Sequence, residues 1–173
     1  MRTPLRPTSP LSAAVLGAVV AAGLLTAAAA PASAAPQPLV PAPLPQSDVL
    51  AMEVLALTND ARAAAGCGPL LVNDPLVAAA IEHSGEMAAT ARMSHGGAGG
   101  STPRTRLGAL GVAPRLTAEN VAAGSFTARS LVDAWLASPG HRRNLLDCDL
   151  GFVGIARFDT PEGAYWTQVM AGN

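Results

Sequence analysis

The chain contains no lysine. All 11 of its basic residues are arginine, set against 12 acidic residues for a net charge of −1. A nucleic-acid binder needs a basic face, and this balance leaves none to spare. The arginine-only set reads as the imprint of a GC-rich genome and carries no chemistry of its own. Charged residues are only 13% and apolar residues 50% of 173 positions, with mean hydropathy +0.31, which excludes a mostly disordered chain. Cysteine is scarce too. Two residues exclude a disulfide-dense scaffold but permit one bridge, and they lack the CxxC spacing of a redox pair. Local catalytic signatures are missing: there is no HExxH, no GxSxG, and no glycine-rich loop followed by lysine. The length suits a single domain.

The first segment reads as an address. Arg2 and Arg6 precede an uncharged run from Leu11 to Ala30, followed by the small-residue triplet Ala32-Ser33-Ala34. That order describes a secretory signal peptide over residues 1–34, cut after Ala34 or Ala35. The alternative is an uncleaved anchor, since about 20 apolar residues can span a bilayer. Gly17, Gly23 and the many alanines make it a weak one. Removing Arg2 and Arg6 from the 11 basic residues leaves 9 against 12 acidic, a mature charge of −3. Residues 35–47 form a linker rich in proline (36, 38, 41, 43 and 45), too poor in N–H groups for a helix or a central strand.

One domain is expected over residues 48–173. Ser47 is placed to cap a helix carrying the stripe Leu50, Val54, Leu57, Ala61, Ala64, which Gly66 and Gly68 end. Pro69 to Val72 reads as an extended link. A second helix, capped at Asn73 or Asp74, lays Leu76, Ala80, His83, Met87 and Ala91 on one face. A short helix opens at Thr102-Pro103, and a third sizeable helix runs from Thr127 until Pro139-Gly140 stops it. Residues 118–124 fit no single pattern. Phe152–Phe158 and Ala164–Ala171 read as strands joined by a turn over 160–163. Helices first and strands last give an α+β class. Cys67 and Cys148, 81 positions apart, are read as a structural disulfide in an oxidising compartment.

His83 lies on an apolar stripe, where a histidine is more often a satisfied core residue than a ligand. His95 follows the second helix in a glycine-rich loop. Glu119 and Asn120 sit inside an apolar run, where a buried carboxylate needs a partner. His141 is placed at a helix exit, before Arg142 and Arg143. Two imidazoles and a carboxylate, His95, Glu119 and His141, make a plausible set for a divalent cation such as zinc, although ligands 22 to 46 positions apart obey no local template.

The segments Asn59-Asp60-Ala61-Arg62, Gly68-Pro69-Leu70, Met93-Ser94-His95, Ala118-Glu119-Asn120-Val121-Ala122, Trp135 to Asn144 and Tyr165-Trp166-Thr167-Gln168-Val169 occur in this order. Together they resemble the CAP superfamily of cysteine-rich secretory, antigen 5 and pathogenesis-related proteins, in its bacterial secreted branch. The resemblance implies an α-β-α sandwich with a small antiparallel sheet between helical layers. It also implies an open groove, lined in eukaryotic members by two histidines and two glutamates able to hold zinc. The first of each pair maps to His95 and Glu119. Ser138 stands where the second glutamate would fall and Tyr165 where the second histidine would, so half the tetrad is missing. His141 belongs to the bacterial pattern and is the candidate replacement ligand.

The groove is expected to comprise His95, Glu119, Asn120, Ser138, His141, Tyr165 and Gln168. The structural reading of the same residues has Asn59 and Arg62 bonding loop backbone, and Glu119 accepting from His95 while pairing with an arginine. The preferred function is a non-enzymatic secreted binding module, a monomer, for a small-molecule, lipid or cell-wall ligand. Two alternatives stand beside it. One is a metal-dependent hydrolase with Glu119 as general base. The other is a structural protein of the cell envelope.

Overall fold

The computed structural model describes residues 46–173. The expected leader, its cleavage site and nearly all of the proline-rich linker fall outside the described residues. The elements run α1 (Gln46–Ala64), β1 (Leu71–Val72), α2 (Asp74–Thr90), a single 3-10 turn at Ala98–Gly100, α3 (Pro103–Ala109), β2 (Leu116–Gly124), α4 (Ala128–Ala137), α5 (Pro139–Leu145), β3 (Phe152–Thr160) and β4 (Gly163–Gly172). The first helix begins at Gln46, one residue before the expected cap position at Ser47, a shift of the size at which helix ends are commonly ambiguous.

The sheet has the order β1-β3-β4-β2. The hairpin β3–β4 and the β2–β4 pair are antiparallel, as the turn chemistry at residues 160–163 requires. The link after Pro69 is a short edge strand, and β1 pairs parallel with β3, so the sheet is mixed where an antiparallel one was expected. The ambiguous stretch at 118–124 is a strand because it lies along β4, with Glu119 opposite Val169 and Asn120 opposite Gln168. Pairing with a distant segment decides its conformation, not its local propensity.

Pro139 does not end the helical region. It sits in the first turn of α5, with Ser138 serving as C-cap of α4 and N-cap of α5. A proline's missing N–H costs nothing at a first helical position. His141 therefore stands in the opening turn of a helix, where an exit was expected.

Side chains alternate across each strand, so the sheet separates two layers. Trp166 and Met170 of β4 and Val153 and Ile155 of β3 face α1 and α4, in a cluster with Val54, Leu131, Trp135 and Leu145. Val169, Ala171 and Ala156 face the other way, against Leu76, Ala79 and Ala80 of α2 and Leu107 of α3. This settles the Tyr165/Trp166 alternation: Trp166 is fully buried in the first layer, and Tyr165, half-buried, is on the α2 face. At Gly154 a Cβ would stand 2.0 Å from the backbone carbon of Leu76, so only glycine lets α2 pack this close to β3.

Helix α2 ends one residue short of expectation. Ala91 is its C-cap in the left-handed region, φ 49°, and not part of the helical stripe. Alanine is strained there and glycine is not. Ala91→Gly is expected to stabilise the domain by about 0.5–1 kcal/mol, read as a raised urea midpoint at unchanged slope. A lowered midpoint would contradict this assignment.

Candidate functional site

The site begins with Glu119, placed by β2 on the α2 face of the sheet and 5% exposed. A carboxylate at that depth needs charged or hydrogen-bonding partners, and it has two. Its Oε1 lies 2.9 Å from Nδ1 of His95, and its Oε2 accepts from Nη2 of Arg106 at 2.5 Å. Arg106 comes from α3, is itself buried, and also donates to the Ser101 carbonyl at 3.3 Å. The loop carrying His95 is in turn held by α2. His83 is 1% exposed, with Nε2 at 2.7 Å from the Ser94 carbonyl and Nδ1 at 3.2 Å from Glu86. It is a satisfied interior histidine that anchors the Ser94–His95 loop.

His141 approaches from the first turn of α5. Asn144, one turn on, ties that helix to β2 by donating to the Glu119 carbonyl and to Oδ1 of Asn120, both at 3.0 Å. The two imidazoles respond oppositely to this setting. His95 titrates above the usual histidine range, chiefly because its side chain hydrogen-bonds to Glu119. His141 titrates below it, first through burial and then through the charge of His95. The charge of His95 felt at His141 places His141 in the electrostatic neighbourhood of the His95–Glu119 pair.

The other expected groove residues are elsewhere. Asn120 and Gln168 are fully buried on the opposite face of the sheet. There Asn120 Nδ2 donates to Oε1 of Gln168 at 3.1 Å, and Gln168 Nε2 donates to Oγ1 of Thr58 on α1 at 3.3 Å. Strand alternation forbids adjacent Glu119 and Asn120 from lining one groove. Ser138 is the junction of α4 and α5 and makes no side-chain cap bond. Tyr165 shares the face of Glu119 but pairs with Ala123. That is four positions along the strand from Val169, the partner of Glu119, or roughly 13 Å. Arg106, Asn144 and Glu86 complete the arrangement. Arg106 could not be singled out from sequence because nothing marks one arginine of a short helix as the inward one.

Beside this cluster lies a cavity of about 530 Å³ between the end of α2 and the following loop. Its lining includes His83, Glu86, Met87, Arg92, Ser94 and Gly96.

The opposite shifts predict opposite pH dependences. The raised pKa of His95 stabilises the fold fully below pH 6.5, and that contribution is lost as pH rises through its folded value. The lowered pKa of His141 acts the other way: stability is full above pH 6.5 and declines as pH falls through its folded value. His141→Gln is expected to remove the second dependence, so that the variant's urea midpoint, relative to wild type, gains on acidification from pH 7 to 5.5. A difference that does not change over this range would contradict it.

The cysteine-rich secretory protein (CAP) model matches residues 55–170, and the chain belongs to this family. Among curated relatives it is 29% identical over 120 residues to the uncharacterised Bacillus subtilis protein YkwD, covering 69% of this chain and 46% of that one. It is also 29% identical over 116 residues to the uncharacterised membrane protein YlbC of the same organism, covering 67% of this chain and 32% of the relative. The chain thus spans less than half the length of either. Among solved structures it resembles an extracellular SCP-domain protein of Bacillus anthracis, with TM-score 0.68 and 26% identity over 77% of this chain and 45% of that one. An outer surface protein of Borrelia burgdorferi shares the fold at TM-score 0.63 and 24% identity, over 73% of this chain and 91% of that one.

The family's cation site is a fair test of these residues. Among the described residues no three His, Cys, Asp or Glu side chains converge to hold a metal. Both oxygens of Glu119 are engaged, one of them by a buried guanidinium. A fixed positive charge at that distance repels a second cation, so the arrangement does not fit a zinc ion.

Proposed function

We propose that this domain is a non-catalytic binding module that works outside the cell and engages its ligand at the groove beside His95, Glu119 and His141. The observation that carries this reading is the capture of Glu119 between His95 and Arg106. A general base must reach a water or substrate, and this carboxylate is buried, with each oxygen engaged in holding the loop and α3 to the sheet. Both cysteines are joined, so neither is a nucleophile. The disulfide suits an oxidising compartment. The described extracellular and outer-surface settings of the Bacillus anthracis and Borrelia burgdorferi proteins support the same placement. Among the described residues no helix is long and apolar enough to cross a membrane.

The test has two arms. In the first, zinc is titrated calorimetrically into the purified domain at pH 7.5, and no one-to-one binding in the micromolar range is expected. One zinc per chain, with esterase or peptidase activity lost in Glu119→Gln, would overturn the proposal in favour of a hydrolase. In the second, the domain is sedimented with purified peptidoglycan and with phosphatidylglycerol vesicles, alongside His95→Ala. Retention on one of them, weakened at least tenfold in the variant, is expected. Equal behaviour of the two proteins, bound or unbound, would remove the groove from the account.

A further inference from the structure

The sandwich is open along the edge that carries β1. The chain leaves the sheet at Asn73 to begin α2, so β1 is only two residues long. It covers Phe152 and Val153 and, among the described residues, leaves the rest of the nine-residue β3 without a strand on that side. A cavity of about 150 Å³ lies at this edge, between α1 and α2. Met52 and Leu55 of α1, Val72 of β1, Val77 of α2 and Ile155 of β3 line it, and no polar side chain does. Val49, one turn before Met52, and Ile81, one turn after Val77, continue the apolar strip on either helix. Val49, Met52, Val72 and Ile81 are each at least half exposed. Contiguous apolar surface of this kind marks an interaction site.

The chain that precedes the domain arrives at this strip. Residues 41–45, Pro-Ala-Pro-Leu-Pro, run directly into α1 and carry no charged or polar side chain. With Gln46 opening α1, Leu44 stands just before the cap position and Val49 is the fourth helical residue. Those are the two positions that pack together in a hydrophobic staple, which turns the incoming chain onto the helix. Five extended residues reach about 15 Å, and Met52, six residues past Gln46, lies about 9 Å along the axis.

We infer that the apolar strip is the seat of residues 41–45, with Leu44 as the anchor beside Met52 and Val72. The chemistry of seat and segment agrees, since both are aliphatic and uncharged. Three prolines fix φ in advance, so the segment loses little freedom on docking. Its attachment at Gln46 keeps it at high effective concentration against any free competitor. Seated there, it also covers edge strand β1, whose exposed apolar residues otherwise offer a template to another chain. The inference is independent of the function proposed for the His95 groove, because this cavity shares no residue with the one at His83 and Ser94.

The test is methyl NMR on the protein with its linker in place. Nuclear Overhauser contacts are expected from the Leu44 methyls to the methyls of Met52 and Val72. A mixture of labelled and unlabelled protein identifies their source. Contacts within one molecule are expected; contacts found only between molecules would overturn the inference in favour of a second copy. Leu44→Asp is expected to stay folded, to abolish the contacts and to shift the Met52 methyl. Leu44 methyls that touch neither Met52 nor Val72 in the unmodified protein, or a Met52 methyl that does not move in folded Leu44→Asp, would overturn the inference and leave the strip to another partner.

Discussion

Arg62→Met is expected to cost the domain about 4 kcal/mol or more, the largest loss predicted for any single position. The guanidinium of Arg62 is fully buried, and four backbone carbonyls accept its donors: Gly68 at 2.9 Å, Leu145 at 2.9 Å, Asp147 at 2.8 Å and Leu150 at 2.7 Å. None of these acceptors is a side chain. Three belong to the end of α5 and the loop leading to β3. Burial pushes the Arg62 pKa down and the nearby Asp147 charge partly restores it. Methionine keeps much of the volume but leaves the buried carbonyls of Leu145 and Leu150 unpaired, and each costs about 1–3 kcal/mol. Arg62→Lys is expected to recover only part, since an ammonium has three donors and no fork. The readout is a urea midpoint lower by roughly 2 M. A drop below about 1 kcal/mol would mean that the corner is held by something else.

The second large effect is expected at the same corner. The disulfide joins Cys67, just past α1, to Cys148, between α5 and β3, across 81 positions. Closing a loop of that length stabilises by about 4 kcal/mol in the chain-entropy model. Replacing both cysteines by serine is expected to lose most of that, with the loss appearing mainly through the unfolded chain. Because Arg62 and the bridge hold the same two segments, their effects should not add. With the bridge gone, the arginine must hold α5 alone, so its removal should cost more than in the bridged protein. Strict additivity in a double-mutant cycle would show that the two restraints act independently.

These cases also show which features the sequence carries openly. The disulfide was legible because two cysteines allow one pairing. Arg62 was legible as a residue that bonds loop backbone, through the motif it belongs to. The helices α2 and α4 were legible because the period of 3.6 is local. Strand β2 was not, since only its pairing with β4 makes it a strand. Neither was α5: Pro139 read as a stop, and a proline that ends one helix also suits the first turn of the next. Of the candidate site, His95 and Glu119 meet as expected, while Asn120 and Gln168 turn away behind the sheet. The motif placed them correctly in order but said nothing of the face, which strand register alone decides. Arg106, the residue that closes the site, left no local signal.

The central claim is that folding assembles His95, Glu119 and His141 into one electrostatic unit. Its most direct measurement is the NMR titration of the His141 imidazole in wild type and in His95→Gln. The account predicts a His141 pKa below 6.5 in wild type that rises toward 6.5 once the neighbouring charge is removed. A His141 pKa that does not move in the variant would contradict it.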